Sequence, residues 1–194
     1  MSGPYSSVVF APSLPIETER LRLRAFAPDD LEAVHSMFGR EDVSRYLMWE
    51  PMSLEAATKL LERRVGQGSM QAEGEAIALL IEDLATARFL GEVILMWKNE
   101  VSRQGEIGWS LHPDAQGKGY ATEAARAMLR LGFEELGLHR IAAECDPRND
   151  GSIRVMERLG MRREAHHLEN MWLKGEWVGS IVYAMLEQEW RARA

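Results

Sequence analysis

A glycine-rich turn between a predicted strand and a predicted helix is the strongest chemical signal in this sequence. Residues 107–111 form a short apolar run, and Gln-Gly-Lys-Gly-Tyr-Ala follows at residues 116–121. From Ala121 onward, apolar residues recur at the three- and four-residue intervals of a helix with one buried face. Such a turn directs free backbone N–H groups and the positive end of the helix dipole at an anion. Because Gly117 and Gly119 have no side chain to block the backbone, we interpret the stretch as a phosphate-binding loop.

Two familiar nucleotide motifs fail in this loop. The dinucleotide-binding fingerprint G-x-G-x-x-G/A begins at Gly117, but its third small residue falls on Thr122. The motif also needs an acidic residue about 20 residues later, and that position lies near His139. The P-loop motif fails because Lys118 is followed by Gly119 where Ser or Thr is required. A turn that only begins a helix is the simplest alternative.

A second polar segment precedes another predicted helix. Residues 146–152 read Asp-Pro-Arg-Asn-Asp-Gly-Ser, and apolar residues follow at 153, 156 and 159. Asn149 is suited to cap this helix, Ser152 falls in its first turn, and Gly160 is suited to end it. This structural interpretation does not explain why the segment occurs together with the glycine loop.

Together the two segments resemble the Gcn5-related N-acetyltransferases (the GNAT superfamily), which bind acetyl-CoA. Gln116, Gly119 and Ala121 match the family's pyrophosphate-loop motif Gln-x-x-Gly-x-Ala. Residues 149–161 are similar to its second CoA-side motif, N-x-x-S-x-x-x-x-E-K-L-G-F, with Arg and Met in place of Lys and Phe.

The resemblance extends over roughly residues 16–190 and is to the RimJ/RimL-type branch, which includes ribosomal-protein N-terminal acetyltransferases. TERLRLR at residues 18–24 and the segments 109–124 and 174–190 carry it. It implies an α/β, single-domain GNAT fold with a mixed, mostly antiparallel sheet of about seven strands. That sheet would be splayed between strands 4 and 5 and flanked by helices. Gly179 and Ser180 depart from the acid that often precedes the last strand in this branch.

The resemblance also implies roles for individual residues. Backbone groups of residues 109–111 would bind the pantetheine arm and the acetyl carbonyl, and the loop would bind the pyrophosphate. Asn149 would bind the pantetheine side, and Ser152 would protonate or stabilise the departing thiolate, a role that a tyrosine often has elsewhere in the superfamily. The implied cofactor-binding residues are Trp109, Ser110, Leu111, Gln116, Gly117, Lys118, Gly119, Tyr120, Ala121, Thr122, Asn149 and Ser152.

Acetyl transfer to an amine also needs a base, because amines with a pKa of about 8–10 are protonated at neutral pH. Glu106 on the strand before the loop and Glu169 on the predicted strand 163–173 are candidates, and Glu144 is a third. Acidic residues on strands commonly face solvent, so the sequence does not select one of them.

The elements that must position these residues follow from periodicity and turn residues. Residues 1–17 are expected to form a flexible arm, followed by a single domain over residues 18–190. Leucines alternate with arginines in residues 18–24, which predicts a half-buried strand. Helices are predicted from Pro28 and from Ser53, with an aromatic loop between them that we interpret as packing or as the wall of an acceptor pocket.

The middle of the chain predicts a crossover next to an antiparallel meander. Runs at 76–82, 89–97 and 104–111 are strands with short links. A helix over about 117–136 then leads to a strand at 140–145. Since strand, helix and strand make a crossover, the fourth and fifth strands should be parallel neighbours with a ligand crevice at their carboxyl ends.

Composition excludes several classes of function. A formal net charge of -7 argues against a nucleic-acid or anionic-membrane surface. Cys145 is the only cysteine, and no apolar run approaches the length of a membrane span, so we expect a cytoplasmic protein. The neighbouring His166 and His167 point to opposite faces of a strand, and we assign no metal.

We therefore expect an acetyl-CoA-dependent N-acetyltransferase that acts by direct attack in a ternary complex. Its acceptor would be a primary amine, either a peptide or protein N-terminus or a small molecule. A non-catalytic acyl-CoA-binding sensor on the same fold is the alternative, and a dinucleotide oxidoreductase is a third hypothesis that lacks two of its signals. Trp49, Trp172 and Trp177 would shape the acceptor pocket or a homodimer contact.

Overall fold

An eight-stranded sheet organises residues 9–193, the part of the chain that the computed structural model describes. In chain order the strands are β1 (Ile16–Glu17), β2 (Leu21–Ala25), β3 (Ala76–Asp83), β4 (Phe89–Asn99), β5 (Gln104–Leu111), β6 (Arg140–Cys145), β7 (Arg162–Leu173) and β8 (Glu176–Leu186). Their order in the sheet is β1-β2-β3-β4-β5-β6-β8-β7. All neighbours are antiparallel except β5 and β6, so the mixed, mostly antiparallel sheet is confirmed. The two-residue β1 accounts for the strand beyond the seven expected.

Helices cover both faces of this sheet. They are α1 (Leu31–Phe38), α2 (Glu41–Ser44), α3 (Leu54–Val65), α4 (Tyr120–Arg130), α5 (Asp150–Leu159) and α6 (Glu187–Arg191). Buried residues of α1 and α3 pack with Ala78 and Leu80 on one face. Buried residues of α4 and α5 pack on the other face with the neighbouring strand positions Leu79 and Ile81. Because side chains alternate along β3, one strand supplies both cores.

The parallel strands β5 and β6 separate after a short paired segment. Their register runs only from Gln104↔Arg140 to Glu106↔Ala142. Beyond that point β5 stays paired with β4, and β6 stays paired with β8. The prediction did not include β1, so its fourth and fifth strands are β5 and β6. The predicted splay between them is therefore confirmed, and it opens a slit in the middle of the sheet.

The long helix begins later than its sequence pattern predicts. The prediction placed its start at about Gly117, but α4 starts at Tyr120 because Gly117 and Gly119 have φ values of +75° and +84°. This left-handed conformation cannot continue into a right-handed helix. A single π-helical turn, Leu131–Glu135, extends α4 close to the predicted end at residue 136.

The N-terminal arm is only partly within the described residues. Residues 1–8 of the expected flexible arm lie outside them. Residues 9–17 differ from that expectation, because Phe10 exchanges two backbone hydrogen bonds with Met70 and β1 pairs with β2. Phe10, Leu14 and Ile16 also pack against the main core. Within residues 9–193, no helix combines the length and the apolar character that crossing a membrane requires.

Candidate functional site

The glycine loop presents a row of unused backbone donors. The N–H groups of residues 117–122 have no acceptor within residues 9–193. An ideal Cβ at Gly117 would meet no atom within 4 Å, so the backbone there faces open space. The hydroxyl of Thr122 is buried without a hydrogen-bond partner in the same part of the chain. Free N–H groups at the start of an eleven-residue helix are donors of the kind that bind a phosphate group.

The polar side chains of the loop turn back toward its own base. Lys118 Nζ donates to the carbonyl oxygen of Asp114 at 2.7 Å, and Gln116 Nε2 donates to the carbonyl oxygen of Leu111 at 3.2 Å. The loop therefore offers its main chain, rather than these side chains, to a ligand. The Leu111 carbonyl, which was expected to be free for the pantetheine arm, is already engaged.

Asn149 and Ser152 form the predicted cap of α5. The Asn149 side-chain oxygen accepts a hydrogen bond from the Ser152 backbone N–H at 3.0 Å. Gly160 ends the helix with a φ of +79°. The cap uses only the backbone of Ser152, so the Ser152 hydroxyl remains available to a ligand.

Two adjoining cavities connect the loop with the slit. The first, which we call the loop cavity, has a volume of about 270 Å³ and includes Gln116, Gly117 and Ala121 in its wall. The second, the slit cavity, has a volume of about 200 Å³ and lies where β5 and β6 separate. Both are lined by Tyr46, Leu47, Trp109, Ser110, Asn149 and Ser152. The structure therefore brings the two sequence segments together at one junction.

Tyr46 lies in the aromatic loop, residues 45–51, which the sequence predicts as packing or as a pocket wall, but its place beside Ser152 was not predicted. No tyrosine lies near Ser152 in the sequence, yet Tyr46 follows α2 and lines both cavities beside Ser152. Trp49, from the same aromatic loop, lines the slit cavity and also packs edge-on against Phe38 at 5.9 Å. Both interpretations of the loop, packing and pocket wall, therefore apply to Trp49. The fold places Tyr46 in the same two cavities as Ser152, and no local sequence signal predicts this.

The three candidate bases lie in different environments. Glu144 on β6 lines the slit cavity and is exposed. Glu106 lines neither cavity and lies 3.2 Å from Lys98 Nζ. Glu169 is exposed at an irregular point of β7 and also lines neither cavity. Of the three, the structure brings only Glu144 to the slit cavity, because β6 and not β5 directs a carboxylate there.

A fourth carboxylate, Glu92, lines the slit cavity from β4 but is already paired. Glu92 accepts two hydrogen bonds from Arg64 of α3, from Nε at 2.8 Å and from Nη2 at 2.9 Å. Both side chains are buried. The sequence offered no signal for this pair, because its members come from a helix and a strand far apart in the chain.

At the end of β6, the pKa of the Cys145 thiol is raised and the pKa of the Asp146 carboxyl group is lowered. Burial, together with the charges of Asp146 and Glu144, raises the pKa of Cys145 to about 12. Burial also works to raise the pKa of Asp146, but hydrogen bonds from Arg148 outweigh it and hold that pKa below its usual value. Cys145 lines the slit cavity as a neutral thiol. Within residues 9–193, no cluster of three or more His, Cys, Asp or Glu side chains is placed to hold a metal ion.

The chain is similar to known acetyltransferases over most of its length. Residues 20–162 match the acetyltransferase (GNAT) domain family. The Bacillus subtilis protein YnaD, an uncharacterized N-acetyltransferase, is 37% identical over 175 residues, which cover 90% of this chain and 98% of YnaD. The spermidine N(1)-acetyltransferase of Escherichia coli K12 is 27% identical over 172 residues, covering 89% of each chain. A crystal structure of a GNAT-family acetyltransferase from Bacillus anthracis aligns with a TM-score of 0.80 and 35% identity, covering 90% of this chain and 99% of that one.

Proposed function

This chain belongs to the GNAT family of acetyltransferases and is an acetyl-CoA-dependent enzyme, and we propose that it acetylates a small primary amine. The amine would attack the acetyl group directly, with donor and acceptor bound together. The observation that carries the proposal is the junction of the two cavities, where the row of free loop amides leads to Ser152. The loop would hold the pyrophosphate, and the loop cavity would hold the pantetheine arm.

The residues of the slit cavity supply what the transfer needs. The separation of β5 from β6 leaves one edge of β5 without a partner strand beyond Glu106, and the backbone groups that point to that edge, those of Trp109 among them, can bind the acetyl carbonyl. Glu144 would remove a proton from the ammonium form of the acceptor, directly or through a water molecule. Ser152 would donate a hydrogen bond or a proton to the departing thiolate.

The lining of the slit cavity favours an amine with an apolar part. Tyr46, Trp49 and Trp109 provide aromatic surface, and Glu144 provides a negative charge. Aromatic faces and a carboxylate together attract a cationic amine. The Escherichia coli relative is named for acetylation of spermidine, which supports a small aliphatic amine over a peptide N-terminus as the first class to test.

Release of CoA thiol in the presence of candidate acceptors tests the proposal. A panel of aliphatic polyamines, aromatic amines and peptide N-termini should give saturable thiol release with at least one small amine, and the acetylated product should be identified by mass spectrometry. Tight acetyl-CoA binding with no release across the whole panel would instead support a non-catalytic acyl-CoA sensor. Turnover with peptides alone would contradict the small-amine proposal.

Cys145→Ser is expected to keep kcat within about threefold of the wild type. A thiol with a pKa of about 12 is ionised in about one molecule in 10⁵ at pH 7, so it is a poor nucleophile for taking the acetyl group first. Steady-state thiol release measures kcat, and intact-protein mass spectrometry should find no acetylated protein when acetyl-CoA is mixed with the wild type alone. A stable acetyl group on Cys145, lost in the variant together with activity, would contradict direct transfer.

A further inference from the structure

Arg20, which directly precedes β2, reaches across the fold to the glycine loop. Its Nη1 donates a hydrogen bond to the carbonyl oxygen of Lys118 at 3.0 Å. Its guanidinium lies over the ring of Tyr120, 4.8 Å from the ring centroid. Its backbone N–H and its Nε donate to the carboxylate of Glu123 at 2.9 and 2.8 Å. One residue near the start of the chain therefore contacts both the loop and the first turn of α4.

The bond to Lys118 determines which way a loop amide points. In a planar trans peptide, the C=O of one residue and the N–H of the next point in opposite directions. A donor on the Lys118 oxygen therefore places the Gly119 N–H on the side that faces away from Arg20. This N–H is one of those without an acceptor in residues 9–193. Because Gly119 is conformationally free, the same peptide would rotate at little cost without Arg20.

Glu123 makes the position of Arg20 electrostatically stable. A cation near the N-terminus of a helix is disfavoured by the helix dipole, and the carboxylate of Glu123 compensates for it. Burial works to raise the pKa of Glu123, but hydrogen bonds from Thr18 and Arg20 outweigh it and hold that pKa below its usual value. The carboxylate is therefore ionised at neutral pH, and the Arg20–Glu123 pair adds little net charge to the loop.

We infer that Arg20 is a positioning residue for acetyl-CoA binding. It holds the Lys118–Gly119 peptide so that the Gly119 N–H points away from the Arg20 guanidinium and stays free for a ligand, and it does not itself contact a phosphate. This inference rests on the proposed function, since that function assigns the loop to the pyrophosphate. No signal in the sequence links Arg20 to a loop nearly a hundred residues away, because the contact exists only in the folded chain.

Arg20→Gln, made in the full chain, tests this role against Arg22→Gln as its matched control. Arg22 lies two residues further along, and its exposed side chain pairs with Glu17 at 3.0 Å, away from the loop. In Arg20→Gln we expect the KM for acetyl-CoA to rise about tenfold, with kcat within about twofold of the wild type. Without ligand, hydrogen exchange of the Glu123 amide, which donates to the Gly119 carbonyl oxygen at 3.1 Å, should become about tenfold faster. Arg22→Gln should change neither quantity.

Inhibition by CoA and by dephospho-CoA, which lacks only the 3′-phosphate, tests whether Arg20 contacts the 3′-phosphate directly. A loop that is only misplaced should weaken both inhibitors by the same factor. If Arg20→Gln weakens CoA much more than dephospho-CoA, Arg20 contacts the phosphate and the inference is wrong. Unchanged exchange and KM, or a fall in kcat alone, would also overturn it.

Two further comparisons cover a variant that fails to fold and a wild type that does not use acetyl-CoA. Arg20→Lys keeps the charge but has a single donor group in place of the guanidinium fork, so it should show the same changes at smaller size and can replace a Gln variant that fails to fold. If the wild type neither binds nor consumes acetyl-CoA, the proposed function fails. The exchange measurement on ligand-free protein then still decides whether Arg20 holds the loop.

Discussion

Arg64→Met is expected to lower the free energy of unfolding by about 3–5 kcal/mol, because it leaves the buried carboxylate of Glu92 without its partner. The side chains of Arg64 and Glu92 are only 7% and 2% exposed, so water replaces the lost hydrogen bonds poorly. Arg64 also donates to Gln67 at 2.8 Å, which adds a further broken contact. A loss of this size is a large part of the total stability of an ordinary domain, about 5–15 kcal/mol. Urea-induced equilibrium unfolding, followed by circular dichroism, measures it.

Lys59→Met on the same helix is the matched control. Lys59 pairs with Glu55 one turn away, but both side chains are more than 70% exposed, and the expected change is below about 0.5 kcal/mol. The double variant Arg64→Met/Glu92→Leu should recover most of the stability, since apolar residues can replace a buried ion pair at little cost. A single variant that costs less than about 1 kcal/mol would show that the pair is not isolated from water in solution.

Ser152→Ala is expected to lower kcat about 10- to 100-fold while the KM for acetyl-CoA stays within about twofold. The cap of α5 uses the Ser152 backbone N–H, so the substitution removes the hydroxyl without breaking that hydrogen bond. A thiol such as that of CoA has a pKa of about 8.5, so its thiolate is a fairly good leaving group. The expected loss in kcat is therefore at the lower end of the range for removal of a proton donor. Above that pH the departing thiolate no longer needs a proton, so the deficit should shrink at pH 9. Thiol release measured between pH 6.5 and 9 tests both statements.

Tyr46→Phe is the comparison that decides the donor. Tyr46 lines the same two cavities as Ser152, so its hydroxyl is the competing source of a proton. If Tyr46→Phe loses activity with the stated pH dependence and Ser152→Ala does not, the role belongs to Tyr46. Ser36→Ala, which removes an exposed hydroxyl on α1, should leave kcat unchanged.

Local signals in the sequence predicted the parts of the site that depend on local geometry. The Ser53 hydroxyl oxygen accepts a hydrogen bond from the backbone N–H of Ala56 at the start of α3. The position of Ser53 before a segment with helical apolar periodicity predicted this cap. The positive φ values of Gly119 and Gly160 likewise agree with a turn and a helix stop. These features depend on the conformations available to one or two residues, which sequence alone constrains.

The sequence did not predict contacts between segments that are far apart in the chain. Tyr46 lines the same cavities as Ser152, and Arg64 pairs with Glu92, only because the helices pack on particular faces of the sheet. For the same reason, the sequence did not select among Glu106, Glu144 and Glu169. All three were assigned to strands, but the carboxylate at the junction depends on the place where β5 and β6 separate, and the periodicity of a single strand does not contain that information.

The row of free amides also bears on how this enzyme can diverge. Every residue except proline carries a backbone N–H, so a donor site built from the main chain tolerates exchange of most of its side chains. Its constraint falls on Gly117 and Gly119, whose conformation few other residues adopt. The slit cavity is the opposite case, because under the proposed function Tyr46, Trp49 and Glu144 would act through their side chains. Descendants of such a gene can therefore acquire new acceptors by point substitution while inheriting the same acyl donor.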